Sequence, residues 1–164
     1  MNTQRLPALL ACLLSACSSY GPQSLTPGAS IEATTRAMGT PTGEASLPAG
    51  GRRLEFARGP FGKHTYMLEF DSQGGLLRWE QVLTEARFNT IRAGMDSAEV
   101  LLQIGHASEQ YVVGWHVKQT VWAYRYETPF CQWFQVGIDP QGKVVDTAYG
   151  PDPMCDVGKI RDND

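Results

Sequence analysis

Residues 94–107, GMDSAEVLLQIGHA, repeat the pattern of residues 28–41, GASIEATTRAMGTP. Both stretches begin with glycine, and in both an apolar residue precedes a second glycine near the end. A second pair of matching stretches follows at nearly the same offset: FDSQGGL at residues 70–76 and IDPQGKV at residues 138–144. Two matches at almost one spacing indicate a structural unit that occurs twice in the chain.

The later repeat predicts a short helix. Asp96 or Ser97 is the residue type that begins a helix, and Gly105 is the type that ends one. The apolar positions between them recur at helical spacing and fall on one face. These positions are Val100, Leu101 and Ile104.

Strands are expected after this helix, where aromatic and β-branched residues alternate. In the later unit they are residues 121–126, 131–138 and 143–147, with a Pro-Gly turn at residues 139–142. In the earlier unit they are residues 53–56, 64–70 and 76–82, with a turn at residues 72–75. Residues 83–89 are predicted to form a leading helix of the later unit. The expected fold is α+β: two tandem units, each a short helix or helix pair with a three-stranded antiparallel meander.

The beginning of the chain resembles a bacterial lipoprotein signal. Arg5 precedes an apolar stretch that is less than half as long as the roughly 20 residues of a membrane span, and Leu14-Ser15-Ala16-Cys17 closes it. The resemblance implies cleavage before Cys17 and acylation of this cysteine with more than one fatty acyl chain. Two or more such chains hold a protein stably at a membrane. Ser18 is the kind of residue that accompanies delivery to the outer membrane, so we expect the body in the periplasm. The alternative is an ordinary secretory signal with a cut a residue or two away.

The repeats and the signal together divide the chain into five segments. Residues 18–27 are rich in Ser, Gly, Pro and Gln, which favours a flexible spacer. The segments are a signal peptide (1–16), a lipidated flexible tether (17–27), a first, divergent repeat (28–86), a second repeat (87–150) and a C-terminal tail (151–164).

The charge of the chain argues against one class of partner. The chain has 14 basic and 17 acidic residues and no basic stripe, so nucleic acid is not an expected partner.

The cysteine content predicts a disulfide. Once Cys12 is removed and Cys17 is acylated, Cys131 and Cys155 remain, and an even pair in an oxidising periplasm is expected to form a bond. Two other interpretations stay open: inert buried thiols, or a metal site with His106 or His116, although no metal-ligand spacing occurs.

The stretch from Phe88 to Gly105, followed by a Trp- and Tyr-rich strand and a glycine turn, resembles the SmpA/OmlA family of outer-membrane lipoproteins, also called BamE-like. The matching features are the Gly94-Met95 dipeptide, Val100 and the helix-ending glycine. The family's usual proline is replaced by Ala107 in the later unit. The resemblance implies short helices on an antiparallel sheet and a role in β-barrel assembly. A doubled version resembles the β-lactamase-inhibitor-protein architecture.

No catalytic motif is found in the sequence, and we expect no enzyme activity, no cofactor and no metal. Aromatic residues crowd one stretch instead, and a small sheet cannot bury them all. We take four of them as a candidate partner surface, since Trp and Tyr dominate binding sites. They are Trp115, Trp122, Tyr124 and Trp133. The plainer interpretation is that most of them fill the core.

Three functions are compatible with these features. The first is a non-catalytic, protein-binding lipoprotein of the outer membrane, held by its lipid and facing the periplasm, that contacts other envelope proteins during envelope or β-barrel assembly or maintenance. The second is a periplasmic inhibitor-like module that binds an enzyme or another envelope protein. The third is a small-ligand or enzymatic role, which needs a closed pocket lined by the tryptophans.

Overall fold

The computed structural model describes residues 21–57, 62–115 and 118–155. Within them the protein is a mixed α and β structure with two antiparallel sheets. The helices are α1 (Ile31–Met38), α2 (Glu85–Phe88) and α3 (Ser97–Ile104). The strands are β1 (Gly43–Ser46), β2 (Arg52–Ala57), β3 (Thr65–Phe70), β4 (Leu76–Gln81), β5 (Glu109–Val113), β6 (Gln119–Arg125), β7 (Gln132–Ile138) and β8 (Val144–Pro151). One sheet has the order β1-β2-β3-β4 and the other β5-β6-β7-β8.

The two longer helices are built alike. The Ser30 hydroxyl accepts a hydrogen bond from the Ala33 N–H at the start of α1, and Gly39 ends the helix with φ 86°. Gly105 ends α3 in the same way with φ 76°, which a residue with a side chain adopts only with strain. Asp96 lies at the N-cap of α3, but its carboxylate makes no capping hydrogen bond and instead pairs with Lys143 at 2.8 Å.

The turns between the last two strands of each unit also match. The Asp71 carboxylate accepts the N–H groups of Gln73 and Gly75 at 2.8 and 2.9 Å. Asp139 accepts the equivalent N–H groups in the other unit at 2.9 and 2.8 Å. Each aspartate therefore holds its turn by bonding its own following backbone, as the turn composition predicts.

Each sheet contains one more strand than the sequence predicts. The additional strands, β1 and β5, lie at an edge and pair antiparallel with β2 and β6. The stretch Gly43–Ser46 contains no β-branched or aromatic residue, so pairing with β2, rather than its own composition, makes it a strand. The three-stranded meander is therefore corrected to four strands in both units.

Sheet 1, the sheet of β1 to β4, lies between two helices. Helix α1 covers one face of it, over a buried cluster. That cluster consists of Met38, Leu54, Phe56, Tyr66, Leu68, Phe70 and Leu76. Helix α3 lies on the opposite face, where the Leu102 carbonyl accepts a hydrogen bond from Arg53 at 2.7 Å. The layers thus run α1, sheet 1, α3 and then sheet 2, the sheet of β5 to β8.

The larger core lies between α2, α3 and sheet 2. Phe88 of α2 stacks on Phe134 of β7, with ring centroids 4.3 Å apart. Met67 of β3 joins this core from sheet 1, so the two units share one apolar cluster. Its other buried members are Val82, Leu83, Ile91, Val100, Ile104, Tyr124, Tyr126, Val136, Ile138 and Val144.

The described part of the predicted tether, residues 21–27, belongs to the folded body rather than to a flexible spacer. Gly21 and Pro22 are buried, and residues 22–24 form a turn of 3-10 helix. Leu25 packs against the cluster under α1, and the Gly28 N–H donates to the Leu76 carbonyl at 2.8 Å. The composition of the segment predicts flexibility because proline, serine and glycine dominate it, but these few contacts fix it in place.

Candidate functional site

The four aromatic residues of the predicted partner surface lie in different environments. Trp115 is 90% exposed, in the loop after β5. Trp122 is partly buried and packs against the core. Tyr124 and Trp133 are 0% and 4% exposed. The expectation of one aromatic surface is therefore wrong for Tyr124 and Trp133, because strand alternation turns both toward covered faces of sheet 2.

Tyr124 is a structural residue at the centre of the larger core. Its hydroxyl donates to the carbonyl of Gly105 at 3.1 Å and so connects β6 to the end of α3. Burial raises the pKa of the Tyr124 phenol, and the Glu55 carboxylate raises it further. The hydroxyl therefore stays protonated and serves as a hydrogen-bond donor.

The surface that remains available is the outer edge of β5, which we call the β5 edge: Tyr111, Val112, Val113 and Trp115. Val112 is 63% exposed, and Tyr111 and Val113 are both more than one-third exposed. Among the described strands β5 pairs with β6 alone, so its other side presents backbone N–H and C=O groups. Sequence analysis did not predict β5, although the Tyr-Val-Val run before Gly114 is a strand signal.

Tyr111 also closes one face of sheet 2. Its hydroxyl accepts a hydrogen bond from the Gln135 side chain at 2.8 Å, across β6. Ala123, which lies between them on β6, is completely buried. The Tyr111 ring stacks near Trp133, and the Arg125 guanidinium lies 5.3 Å from the centre of the Trp133 ring. Side chains of sheet 2 itself therefore cover the face that, in sheet 1, is covered by α3.

The two units meet at a buried carboxyl group. Glu55 of β2 is 5% exposed, and its oxygens accept the backbone N–H of His106 at 3.0 Å and face the His106 Nδ1 at 2.7 Å. The Thr42 hydroxyl lies 3.3 Å from the same carboxyl group. Beside this contact is a groove of about 310 Å³ between sheet 1 and α3, lined mainly by apolar side chains. Its apolar lining includes Ala45, Met67, Ala98, Leu101 and Leu102.

A second groove, of about 260 Å³, is lined by charged residues on the same side of sheet 1. Glu69 bonds both Arg53 and Arg78. Burial raises the pKa of Glu69, but the hydrogen bonds from Arg78 and Arg53 outweigh it, so the pKa lies below its usual value. Arg87 likewise holds Glu80 in an ion pair that lowers the carboxyl pKa. These charges compensate one another, and the groove shows no excess of one sign.

The end of the second unit is held by a disulfide and an ion pair. Cys131 and Cys155 are joined, with their Cα atoms 6.2 Å apart. Next to them the buried Arg125 binds Asp152 at 2.7 Å and the exposed Glu109 at 2.7 Å. The hydrogen bonds that Arg125 donates to Asp152 raise the pKa of its guanidinium, which remains charged.

Several of the sequence predictions lie outside the described residues: the signal peptide (1–16), Cys17 as the predicted acylation site, Ser18 and His116. Within residues 21–57, 62–115 and 118–155, no three His, Cys, Asp or Glu side chains converge as a metal site would require. In that same part of the chain, no helix combines the length and the apolar composition needed to cross a membrane.

Comparisons with known proteins give no family for the chain. No protein-family model matches it, and no curated protein matches it. Among solved structures it is similar to a cysteine-rich secretory protein from Staphylococcus aureus, at 14% identity and a TM-score of 0.30. That similarity covers 78% of this chain and 45% of the other, so the chain spans less than half of that protein. A likeness of this size identifies neither fold nor function.

Proposed function

We propose that this protein is a lipid-anchored periplasmic module of the SmpA/OmlA type that binds another envelope protein without catalysing a reaction. Its role is in envelope or β-barrel assembly or maintenance at the outer membrane. The lipoprotein-like signal ending at Cys17 and the family resemblance from Phe88 to Gly105 support this proposal. The Cys131–Cys155 disulfide fits an oxidising compartment.

The β5 edge is the observation that carries the binding role. Natural proteins usually protect a sheet edge with charge, proline or a covering segment. Here three consecutive residues with apolar or aromatic side chains occupy the edge strand, and the 90% exposed Trp115 follows after Gly114. An extended segment of a partner can pair with such a strand, with backbone hydrogen bonds giving affinity and neighbouring side chains giving specificity.

Photo-crosslinking in membranes of the native host tests this proposal. A photoreactive residue at Val112 or Trp115 is expected to capture a component of β-barrel assembly or a barrel protein. The same residue at Val145 serves as the matched control, because Val145 is a 44% exposed valine on β8, at the opposite edge of sheet 2.

The outcomes separate the candidate functions. Capture at Val112 and Trp115, but not at Val145, supports binding through the β5 edge. A soluble periplasmic enzyme as the sole captured protein supports the inhibitor-like alternative instead. Equal capture at Val112 and Val145 contradicts a binding role for the β5 edge.

A further inference from the structure

We propose that the α1 side of the first unit lies against the lipid headgroups, so that the second unit lies farther from the membrane than the first. This inference rests on the proposed acylation of Cys17. It adds an interaction surface whose partner is the polar surface of the bilayer.

The distance between lipid and body is the first argument. Cys17, the acylation site, is only four residues before Gly21, where the described body begins. A stretch of this length spans about 14 Å when fully extended. Gly21 must therefore lie within about 14 Å of the membrane surface whatever conformation connects it.

Residues 21–29 cannot lengthen this connection without unfolding. Pro22 is buried, and Leu25 packs in the cluster under α1. The N–H groups of Gly28 and Leu76 donate to the carbonyls of Leu76 and Ala29 at 2.8 and 2.9 Å, which joins the segment to β4. The segment is thus a fixed part of the first unit, and the whole unit is held close to the acylated cysteine.

The position of Pro22–Ser24 decides which side faces the bilayer. This turn contacts α1, and α1 covers the face of sheet 1 opposite to α3. The second unit follows beyond α3, so α1 is the layer nearest to the attachment point and sheet 2 the farthest. Trp79 lies on the same side as α1, because its register partner Leu68 belongs to the cluster under that helix.

The exposed side chains on the α1 side are of the types that contact lipid headgroups. The exposed residues of α1 are Glu32, Ala33, Arg36 and Ala37, which carry one charge of each sign. Trp79 is 38% exposed, and tryptophan is favoured at the level of lipid headgroups. With no basic cluster on α1, contact depends on the acyl chains rather than on anionic lipid.

Depth-dependent fluorescence quenching tests the orientation in the acylated, full-length protein. Arg36→Cys on α1 and Gln141→Cys in the exposed β7–β8 turn each add one free thiol, since Cys17 is acylated and Cys131 is bonded to Cys155. The labelled proteins are placed in phosphatidylethanolamine vesicles that carry a nitroxide on the headgroup. The label at position 36 is expected to lose most of its fluorescence, and the label at position 141 to keep most of it.

A lengthened connection provides the control. An insertion of about 20 Gly and Ser residues between Tyr20 and Gly21, with a root-mean-square length of about 25 Å, is expected to abolish the difference between the two labels. Equal quenching without the insertion overturns the proposed orientation. A difference that survives the insertion overturns the argument from the short connection.

Mass spectrometry of the N-terminal peptide separates failure of this inference from failure of the proposed function. If Cys17 is acylated and the two labels are quenched equally, the proposed lipid anchor is supported and the proposed orientation is refuted. An unmodified Cys17 contradicts both.

Discussion

The carboxyl group of Glu55, in the first sheet, lies 2.7 Å from the ring nitrogen of His106, in the second unit. The same carboxyl group also accepts the His106 backbone N–H. A buried carboxyl group needs hydrogen-bond partners, and here the partners come from the other half of the chain. The first unit alone would leave Glu55 with fewer of them, so we expect the two units to unfold together.

We predict that Glu55→Ala destabilises the protein by about 2 kcal/mol, because the partners of a buried acceptor lose their hydrogen bonds. Urea unfolding measures the change. The control is Glu44→Ala, which breaks an exposed ion pair with Arg52 and is expected to cost less than about 0.5 kcal/mol. Equal effects of the two variants would contradict a special role for Glu55.

We predict that Thr34→Val stabilises the protein by about 1 kcal/mol. The Thr34 hydroxyl in α1 is buried and has no hydrogen-bond partner among the described residues. The equivalent position of α3 holds Val100, which is completely buried, and valine has nearly the same shape as threonine. Thr35→Val is the control: its hydroxyl bonds the Ile31 carbonyl at 2.8 Å, so no gain is expected. The midpoint of thermal unfolding reports both changes.

Removing the Cys131–Cys155 disulfide is predicted to lower stability by about 3 kcal/mol. The two cysteines are 24 positions apart, and in the chain-entropy model a bond that closes such a loop restricts mainly the unfolded chain. The double variant with alanine at both positions avoids free thiols. Its urea midpoint should fall with or without reductant, whereas the wild-type midpoint should fall only with reductant. A wild-type midpoint that reductant leaves unchanged would refute the prediction.

Asp152 makes stability depend on pH. Burial raises the pKa of this carboxyl group, but hydrogen bonds from the Arg125 guanidinium and the Met154 N–H outweigh that effect and hold the pKa below its usual value. A lowered pKa in the folded state means that the carboxylate stabilises the fold above the unfolded pKa of about 4. This contribution is lost as the pH falls through the folded-state pKa.

We therefore expect Asp152→Asn to be less stable than wild type at neutral pH and to approach it in acid. Urea unfolding from about pH 7 down to about pH 3 gives the comparison. The difference at neutral pH should persist in high salt, since the ion pair is buried and weakly screened. A difference that stays constant down to the lowest pH would show that the ionisation of Asp152 is not its source.

We predict that Val112→Lys abolishes crosslinking from a photoreactive residue at Trp115, because a lysine on an edge strand opposes the addition of another strand. Val145→Lys, on the β8 edge, should leave crosslinking intact. Both sites are exposed, so each change should alter the free energy of unfolding by less than about 0.5 kcal/mol. Loss of crosslinking in both variants would point to a general charge effect.

Local patterns in the sequence predict the parts of the fold that local chemistry determines. Gly105 ends α3 because a positive φ is needed there, and Asp139 holds its turn through its own backbone. Six of the eight strands, β2 to β4 and β6 to β8, are predicted by the alternation of side chains, a pattern that spans only a few residues. These features need no information about the rest of the chain.

Features that depend on tertiary pairing escape such prediction. Gly43–Ser46 forms a strand because it pairs with β2. Leu25 is held in the folded body because its side chain packs against the cluster under α1. Tyr124 and Trp133 look alike as aromatic residues of adjacent strands, but their burial depends on what covers each face of the sheet. Of the four predicted surface aromatics, Tyr124 and Trp133 are therefore buried, whereas Trp115 belongs to the exposed β5 edge.

The hydrogen bond between Tyr111 and Gln135 lies on the face of sheet 2 that corresponds to the α3-covered face of sheet 1. Where the first sheet offers the Glu55 carboxyl group to His106 of the following unit, the second sheet has the buried Ala123 at the matching register position. Ala123 has no side-chain acceptor, so a further module could not dock on sheet 2 through the contact that joins the two units. Head-to-tail repetition of that contact, which would extend stacked modules into a filament, is therefore blocked at sheet 2.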